Sequence, residues 1–299
     1  MKLLTLQTLS LILFVAITVH LQTPDRHCRV DESNEAVFWY EQGLAQQRTG
    51  HYEEAVLAFR RAIDLKPDFA LAYNELGSVF SDLGRYSEAI EALKTAIRLK
   101  PEFAQALNNL GVVYTEMGHY GDAVEPFKQA IRLRPDDVIA RNNLGNSYYE
   151  LGLYKVAIET YRQAITLKRD DARSLRNLGR TCLKLHRYKE AIDSLAQAIR
   201  LKPDFAEAFN DLGVAYAGAH QYKMAVDSFN EAIRLKPEMA DAYFNLGAAH
   251  LELNEREEAL EQYSQLRLLD QNWADKLYRV IYKDKLLSPK GTQITQTKD

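Results

Sequence analysis

The chain has 299 residues, a formal net charge of −3, 46% hydrophobic and 26% charged residues, and two cysteines. This is the composition of an ordinary folded protein, which excludes a disordered chain, a collagen and a protein with many membrane spans. Two cysteines exclude a disulfide framework, and the balanced charge lacks the basic excess of a general nucleic-acid binder.

The N-terminal segment is predicted to direct export. After Met1 and Lys2, residues 3–24 contain no acidic residue, lysine or arginine, and residues 11–17 are all apolar. A basic start followed by an apolar stretch is typical of secretory signals. As a helix, residues 3–21 would measure about 28 Å, close to the thickness of a bilayer core. Residues 1–24 are therefore interpreted as a signal peptide or an uncleaved signal anchor, and both alternatives stay open.

The remainder of the chain repeats with a period of 34 residues. The period is marked by Gly43, Gly77, Gly111, Gly145, Gly179, Gly213 and Gly247. An alanine follows each glycine after twelve residues, and a large apolar or aromatic residue follows after sixteen. Five units close with a proline: Pro67, Pro101, Pro135, Pro203 and Pro237. A fixed period of this length indicates a repeat architecture, in which each unit packs against its neighbours.

Each unit is predicted to fold as two helices. In the second unit, Tyr73, Leu76 and Phe80 recur at helical spacing before the turn at Gly84, and a second helical pattern follows from Ala89. Proline ends the second helix, because the residue before a proline is pushed out of the α region. A mid-helix glycine costs about 0.5–1 kcal/mol relative to alanine. The seven glycines therefore predict places where a neighbouring helix approaches the backbone closely.

The 34-residue pattern of Leu76-Gly77, Phe80, Ala89, Ala96 and Pro101 resembles the tetratricopeptide repeat (TPR) family. The resemblance covers the seven units at residues 36–273. It implies an all-α fold, a right-handed α-solenoid superhelix of antiparallel helix pairs. It also implies that the first helix of each pair lines a concave groove.

The predicted organisation has a signal or anchor at 1–24, a linker at 25–35, seven repeat units, a capping helix and a flexible tail. The capping helix is predicted at 274–287, because Leu277, Val280 and Ile281 continue an apolar stripe from Trp273, and the polar residues 288–299 form the tail. The repeat units are 36–69, 70–103, 104–137, 138–171, 172–205, 206–239 and 240–273.

No catalytic, metal-binding or cofactor-binding motif is present, so we predict a chain that is not an enzyme and has no cofactor. His51, His119, His186 and His220 fall at the turns inside the units, too far apart along the stack to share a metal ion. Cys182 occupies a position that holds tyrosine in other units, which predicts a core residue rather than a reactive thiol.

The candidate binding surface is the face of each first helix that turns away from its paired helix. Helical geometry predicts this face at the residues six and three before each glycine and one and four after it. These residues are Ile139, Asn142, Asn146 and Tyr149 in the fourth unit, and Arg173, Arg176, Arg180 and Leu183 in the fifth. A row of asparagines lies beside this face, two residues before most of the glycines.

Two polar sets on this surface are candidate groove residues. Asparagine amides could bond the backbone of an extended peptide, whereas asparagine at this place is also common in the family for general reasons. The arginines could hold an acidic or carboxylate-bearing partner, or simply form a solvated face, and Arg141 would join them if it turned outward. The candidate groove residues are Asn108, Asn109, Asn142, Asn143, Asn146, Arg173, Arg176, Asn177, Arg180, Asn210 and Asn245.

The sequence therefore predicts a non-catalytic scaffold that binds an extended peptide or protein segment, including acidic segments, in a concave groove. We expect no nucleic-acid partner, and membrane contact only through an uncleaved residue 1–24 segment. The export signal predicts a periplasmic, secreted or membrane-anchored protein, and the lack of any Asn-x-Ser/Thr sequon in an exported chain favours a bacterial one. In this setting the scaffold would be an assembly or adaptor factor of the cell envelope. The alternative function is a substrate-recruiting TPR subunit of an enzyme similar to O-GlcNAc transferase, with the catalytic part on another chain.

Overall fold

The computed structural model describes residues 26–282, with side chains described from Ser33 onward. Within these residues the chain forms fifteen α-helices and no strand, which confirms the predicted all-α class. The first helices of the seven pairs are α1 (Arg26–Arg48), α3 (Ala70–Asp82), α5 (Ala104–Glu116), α7 (Val138–Glu150), α9 (Ala172–Lys184), α11 (Ala206–Gly218) and α13 (Ala240–Glu252). The second helices are α2 (Tyr52–Leu65), α4 (Tyr86–Leu99), α6 (Tyr120–Leu133), α8 (Tyr154–Leu167), α10 (Tyr188–Leu201), α12 (Tyr222–Leu235) and α14 (Arg256–Leu269). A last helix, α15 (Gln271–Ile281), follows them.

A short turn joins the two helices of each pair, and one residue of that turn adopts the left-handed backbone region. Gly152 does so with φ of 73°, and His186 holds the equivalent place in the next unit with φ of 54°. Glycine adopts this region without strain, whereas a residue with a Cβ pays for it. The predicted turn histidines His51, His119, His186 and His220 are exposed.

The mid-helix glycines lie where a large side chain of the paired helix meets the backbone, as the repeat pattern predicted. A Cβ added at Gly145 would stand 2.5 Å from the ring of Tyr161, which lies sixteen residues further on. The last unit differs, because the atom nearest to a Cβ at Gly247 would belong to Leu277 of α15, at 2.7 Å. The final helix therefore packs where the other units place a side chain of their own second helix.

The contacts divide the chain into two compact bodies, an N-terminal part up to Val113 and a C-terminal part from Tyr114. In the N-terminal part, Ala36, Ala62 and Ala72 pack with Phe69 beside Trp39 and Tyr40. In the C-terminal part, one core cluster includes Tyr161, Cys182 and Leu195, all fully buried. The prediction that Cys182 is a core residue is confirmed, and its burial raises the pKa of the thiol to about 11.

Two predicted boundaries are wrong at the ends of the repeats. Helix α1 begins at Arg26, inside the predicted linker 25–35, because no proline or glycine interrupts the chain before Gly43. Helix α15 spans Gln271–Ile281 rather than 274–287, since Asp270 accepts hydrogen bonds from the backbone N–H groups of Asn272 and Trp273 and starts the helix there. The predicted signal at 1–24 and tail at 288–299 lie outside the described residues. Across residues 26–282, no helix combines the length and the apolar character needed to cross a membrane.

Candidate functional site

The C-terminal part of the chain has an open concavity of about 1320 Å³. It is formed mainly by α7, α9 and α11, the first helices of the fourth, fifth and sixth repeats. Side chains from these helices line it, together with residues of the turns that precede them, the end of α5 and the start of α6. Among the predicted groove residues, those that line the concavity are Asn142, Asn143, Asn146, Arg173, Arg176, Asn177 and Arg180. Asn108, Asn109, Asn210 and Asn245 do not line it.

The lining carries equal numbers of basic and acidic side chains. The basic residues are Arg134, Lys168, Arg173, Arg176, Arg180 and Lys202, and the acidic residues are Asp136, Asp137, Glu150, Asp170, Asp171 and Glu207. The concavity as a whole is therefore not a basic surface, although Arg173, Arg176 and Arg180, the arginine stripe of α9, lie in it. Its capacity for an anion depends on which cations are already paired.

Arg176 is engaged within the protein. Its Nε donates to Oδ2 of Asp211 at 2.7 Å, and its guanidinium lies 5.5 Å from the ring centroid of Phe205. Burial raises the pKa of Asp211, and the charge of Arg176 and its hydrogen bond act in the opposite direction. Arg176 therefore joins α9 to α11, and a ligand carboxylate would have to compete with Asp211 for it.

Arg180 is also partly committed, whereas Arg173 is open. The Arg180 guanidinium lies over the ring of Tyr149, 4.3 Å from its centroid, and 3.9 Å from a carboxylate oxygen of Glu150. Its Nε is buried and has no hydrogen-bond partner in the described part of the chain. Arg173 is exposed, and between residues 33 and 282 no carboxylate forms an ion pair with it. Arg173 is therefore the arginine of the stripe most available to an external anion.

The asparagine row bonds largely to other asparagines of the neighbouring first helix. The Nδ2 of Asn177 donates to Oδ1 of Asn146 at 3.1 Å, and Oδ1 of Asn146 also accepts from the hydroxyl of Tyr161 at 2.7 Å. In the same way, Asn109 on α5 donates to Asn74 on α3, and Asn245 on α13 donates to Asn210 on α11, each at 3.0 Å. These amides tie consecutive first helices together, which reduces what they can offer to a peptide backbone.

Asn142 and Asn210, which stand three residues before a mid-helix glycine, are buried. The sequence placed them on the face that lines the groove. Asn142 exchanges hydrogen bonds with the hydroxyl of Ser174 on α9, at 2.6 and 2.9 Å, and also donates to Asp171. Asn210 is likewise buried and donates to Asp241. The next first helix packs over this position, so these two amides mainly hold the stack together. Asn108 and Asn143 are half-buried, and Asn143 lines the concavity.

Arg141 does not join the arginine stripe. Its Nη1 donates to the carbonyl of Pro135, and the side chain lines a separate pocket of about 370 Å³ with Lys128 and Tyr148. The sequence prediction passed over Lys168, Lys202 and Phe205, which do line the concavity. The signal that could have found the two lysines is the basic residue that closes almost every second helix just before the proline position.

The described residues hold no cluster of three or more histidine, cysteine, aspartate or glutamate side chains placed to bind a metal ion. The concavity offers amides, guanidinium groups, carboxylates and one well-exposed apolar side chain, Ile139. These groups suit recognition of a polypeptide segment, through its backbone and a few side chains.

Sequence profiles of the tetratricopeptide repeat match most of the repeated region. A TPR repeat profile matches residues 43–84, 77–118, 113–152 and 221–254. Two tetratricopeptide repeat profiles match residues 139–204 and 240–272. A comparison with curated protein sequences finds no match.

Three solved structures illustrate the similarity of fold. YrrB, described as a TPR protein with an unusual peptide-binding site, is 24% identical with a TM-score of 0.53, over 62% of this chain and 95% of YrrB. PilF of Pseudomonas aeruginosa is 20% identical with a TM-score of 0.61, over 73% of this chain and 96% of PilF. A tetratricopeptide repeat protein of Parabacteroides merdae is 16% identical with a TM-score of 0.65, over 83% of this chain and 99% of that protein. At these identities the similarity concerns the fold.

Proposed function

The chain belongs to the tetratricopeptide repeat (TPR) family, whose folds are protein–protein interaction scaffolds, and on that premise we propose that it binds an extended segment of a partner protein. The binding site in this proposal is the concavity formed by α7, α9 and α11. TPR repeats are generally non-catalytic, and we propose that this chain too acts by binding alone.

The observation that carries the proposal is the lining of the concavity by side chains from three successive first helices. Ile139 on α7 is 66% exposed, and Arg173 on α9 and Glu207 on α11 also line the concavity. A space of about 1320 Å³ that is open to solvent suits an extended chain lying across the helices better than an enclosed small molecule. The solved structure of YrrB, described as having a peptide-binding site, is consistent with this use of the fold.

We further propose that the bound segment is acidic where it crosses α9. The support is Arg173, which is exposed and lacks a carboxylate partner, rather than Arg176 or Arg180. A guanidinium can hold a carboxylate through two parallel hydrogen bonds, which makes it suited to this task.

The proposed location is outside the cytoplasm, at the cell envelope, where the chain would act as an assembly or adaptor factor. This part rests on the apolar segment at residues 3–24 alone. A fusion of residues 1–35 to a phosphatase that is active only after export tests it. Activity that disappears when residues 3–24 are deleted is expected, and activity that never appears contradicts the proposed location.

The alternative function, a substrate-recruiting subunit of a glycosyltransferase-like enzyme, would need the asparagines two residues before the glycines to be available to a peptide. Asn109, Asn177 and Asn245 each donate to an asparagine of the preceding first helix. The row therefore has a structural explanation, and no contact in the concavity favours this alternative.

Site-specific cross-linking tests the proposed binding site in the full chain. A photoreactive amino acid at position 139 lies in the concavity, and the same amino acid at Leu167, an exposed position of α8 outside it, is the matched control. After irradiation in envelope extracts, we expect position 139 to cross-link to a restricted set of partner peptides that position 167 does not reach. Equal cross-linking at both positions, or none at position 139, would contradict the proposal.

A further inference from the structure

One position of the repeat supplies a row of different side chains along the concavity. It lies six residues before the mid-helix glycine and holds Ile139 on α7, Arg173 on α9 and Glu207 on α11, all of which line the concavity. An apolar contact thus lies one helix away from a cation, and the cation one helix away from an anion. The chemistry changes at each step although the backbone position is the same.

The cation of this row is available, whereas the anion beside it is already bound. Glu207 accepts from Nζ of Lys236 at 3.3 Å, and a backbone hydrogen bond and this lysine lower its pKa. Arg173 has no such partner among the described residues. The apolar side chain at Ile139 is exposed to solvent, so covering it releases water from apolar surface. At two of the three positions, Ile139 and Arg173, a contact with a ligand would therefore be favourable.

The acidic side chains around Arg173 are mostly engaged by the fold. Asp137 accepts from the backbone N–H of Ala140 at 2.9 Å and caps the N-terminus of α7. Asp171 accepts from the backbone N–H of Ser174 at 3.2 Å and caps the N-terminus of α9. Glu150 faces Arg180. Four of the six lining carboxylates, those of Asp137, Glu150, Asp171 and Glu207, thus have partners within the fold, and none of the six forms an ion pair with Arg173.

The spacing of the two positions can be estimated from the packing of their helices. Helices α7 and α9 are in direct contact, because Nδ2 of Asn142 lies 2.6 Å from Oγ of Ser174. Axes of helices packed this closely are about 8–10 Å apart. A segment in the extended polyproline II form advances about 3.1 Å per residue with three residues per turn, so side chains three positions apart lie on the same side, about 9 Å from each other, and can reach Ile139 and Arg173.

We infer that the concavity selects an extended peptide segment in which a large apolar side chain and a carboxylate side chain stand about three residues apart. The apolar side chain covers Ile139, and the carboxylate binds the guanidinium of Arg173. This inference rests on the proposed function and specifies the chemistry of the partner. It allows either chain direction, because the two contacts fix a separation and not an order.

Selection from a peptide library tests the inference on the full chain. The probe is a library of random peptides of about 12 residues, long enough to cross three helix spacings, displayed without a free C-terminal carboxylate. We expect enriched peptides to carry an apolar residue and Asp or Glu separated by three positions, in one order or the other. Enriched peptides without this pairing overturn the inference while leaving the proposed function standing. No enrichment over an empty support overturns both.

Variants of the two residues give the sharper readout. Arg173→Glu should lower the affinity for the selected peptides about tenfold. In a new selection on this variant, the enriched peptides should carry Lys or Arg in place of the acidic residue. Arg169→Glu makes the same charge change at an exposed residue outside the lining and should leave the affinity unchanged. Ile139→Asp should remove the apolar preference, and Leu167→Asp is its control outside the concavity. Equal effects of a variant and its control, with unchanged thermal unfolding, would overturn the assignment.

Discussion

Nε of Arg176 on α9 lies 2.7 Å from Oδ2 of Asp211 on α11, and the pair links two consecutive first helices beside the concavity. The two side chains are only 21% and 13% exposed. A cation that seemed to be part of an open basic stripe is thus half of an internal ion pair. Arg176 and Arg173, on the same helix, should therefore respond differently to substitution.

Arg176→Leu should lower the free energy of unfolding by about 1–3 kcal/mol, because it leaves the buried carboxylate of Asp211 without its partner. Arg173→Leu should change it by less than about 0.5 kcal/mol, because that side chain is exposed and unpaired. Urea denaturation of both variants measures the difference. Similar losses for the two variants would contradict the internal role of Arg176.

The cost of Arg176→Leu should also depend on pH. Burial raises the pKa of Asp211, and removing the adjacent guanidinium raises the pKa further. An acid with a raised pKa destabilises the folded state when it is ionised, so the penalty is present above that pKa and fades as pH falls through it. The difference in unfolding free energy between wild type and variant should therefore shrink in acid. A difference that stays constant from neutral pH to below the ordinary aspartate range would contradict this explanation.

Gly145→Ala should destabilise the chain by about 1–3 kcal/mol, since its new methyl group would overlap the ring of Tyr161. Gly121→Ala is the matched control on α6, where a Cβ would have no atom within 4 Å. The control should stabilise the chain by about 0.5–1 kcal/mol, because alanine restricts the unfolded chain. Thermal melts followed by circular dichroism compare the two. A stabilising Gly145→Ala would refute the close approach of α8 to α7.

Asn146→Ala should lower the free energy of unfolding by about 1–3 kcal/mol, because Tyr161 is fully buried and its hydroxyl donates to Asn146. Tyr161→Phe removes that hydroxyl, so the double variant should lose less than the sum of the two single losses. A double-mutant cycle in urea gives this coupling. Strict additivity would contradict the hydrogen bond between Tyr161 and Asn146.

Cys182 should be unreactive in the folded chain. Its burial raises the pKa to about 11, so little thiolate exists at pH 8. In a Cys28→Ser background, labelling by a thiol reagent should proceed only as fast as the chain opens, and become rapid in urea. Fast labelling of the folded chain would contradict the buried position.

The same thiol makes stability fall with rising pH. The folded state favours the neutral thiol, so its contribution is present below the ordinary pKa of 9.0 and is lost as pH rises towards about 11. Cys182→Ala should therefore reduce the slope of unfolding free energy between these pH values. Tyr161, whose pKa is also raised by burial, remains in the variant and keeps part of the slope. An unchanged slope would contradict the shift.

The helical pairs could be predicted from the repeat because each helix follows local rules. The spacing of Tyr73, Leu76 and Phe80 predicts α3, and the proline at Pro101 agrees with the end of α4 at Leu99. The boundary of α15 could not be predicted as well, because it depends on hydrogen bonds from the backbone to Asp270 rather than on the apolar stripe.

The chain by itself determined the repeat, the helix pairs and the close approach at the glycines, because these depend on residues within about 34 positions of one another. Only the tertiary structure decided which polar side chains remain available. Asn142, Arg176 and Arg173 share a predicted face, yet the first bonds Ser174, the second pairs with Asp211, and the third is open. Helical periodicity determines the direction of a side chain, whereas its partner depends on the distance to a different helix.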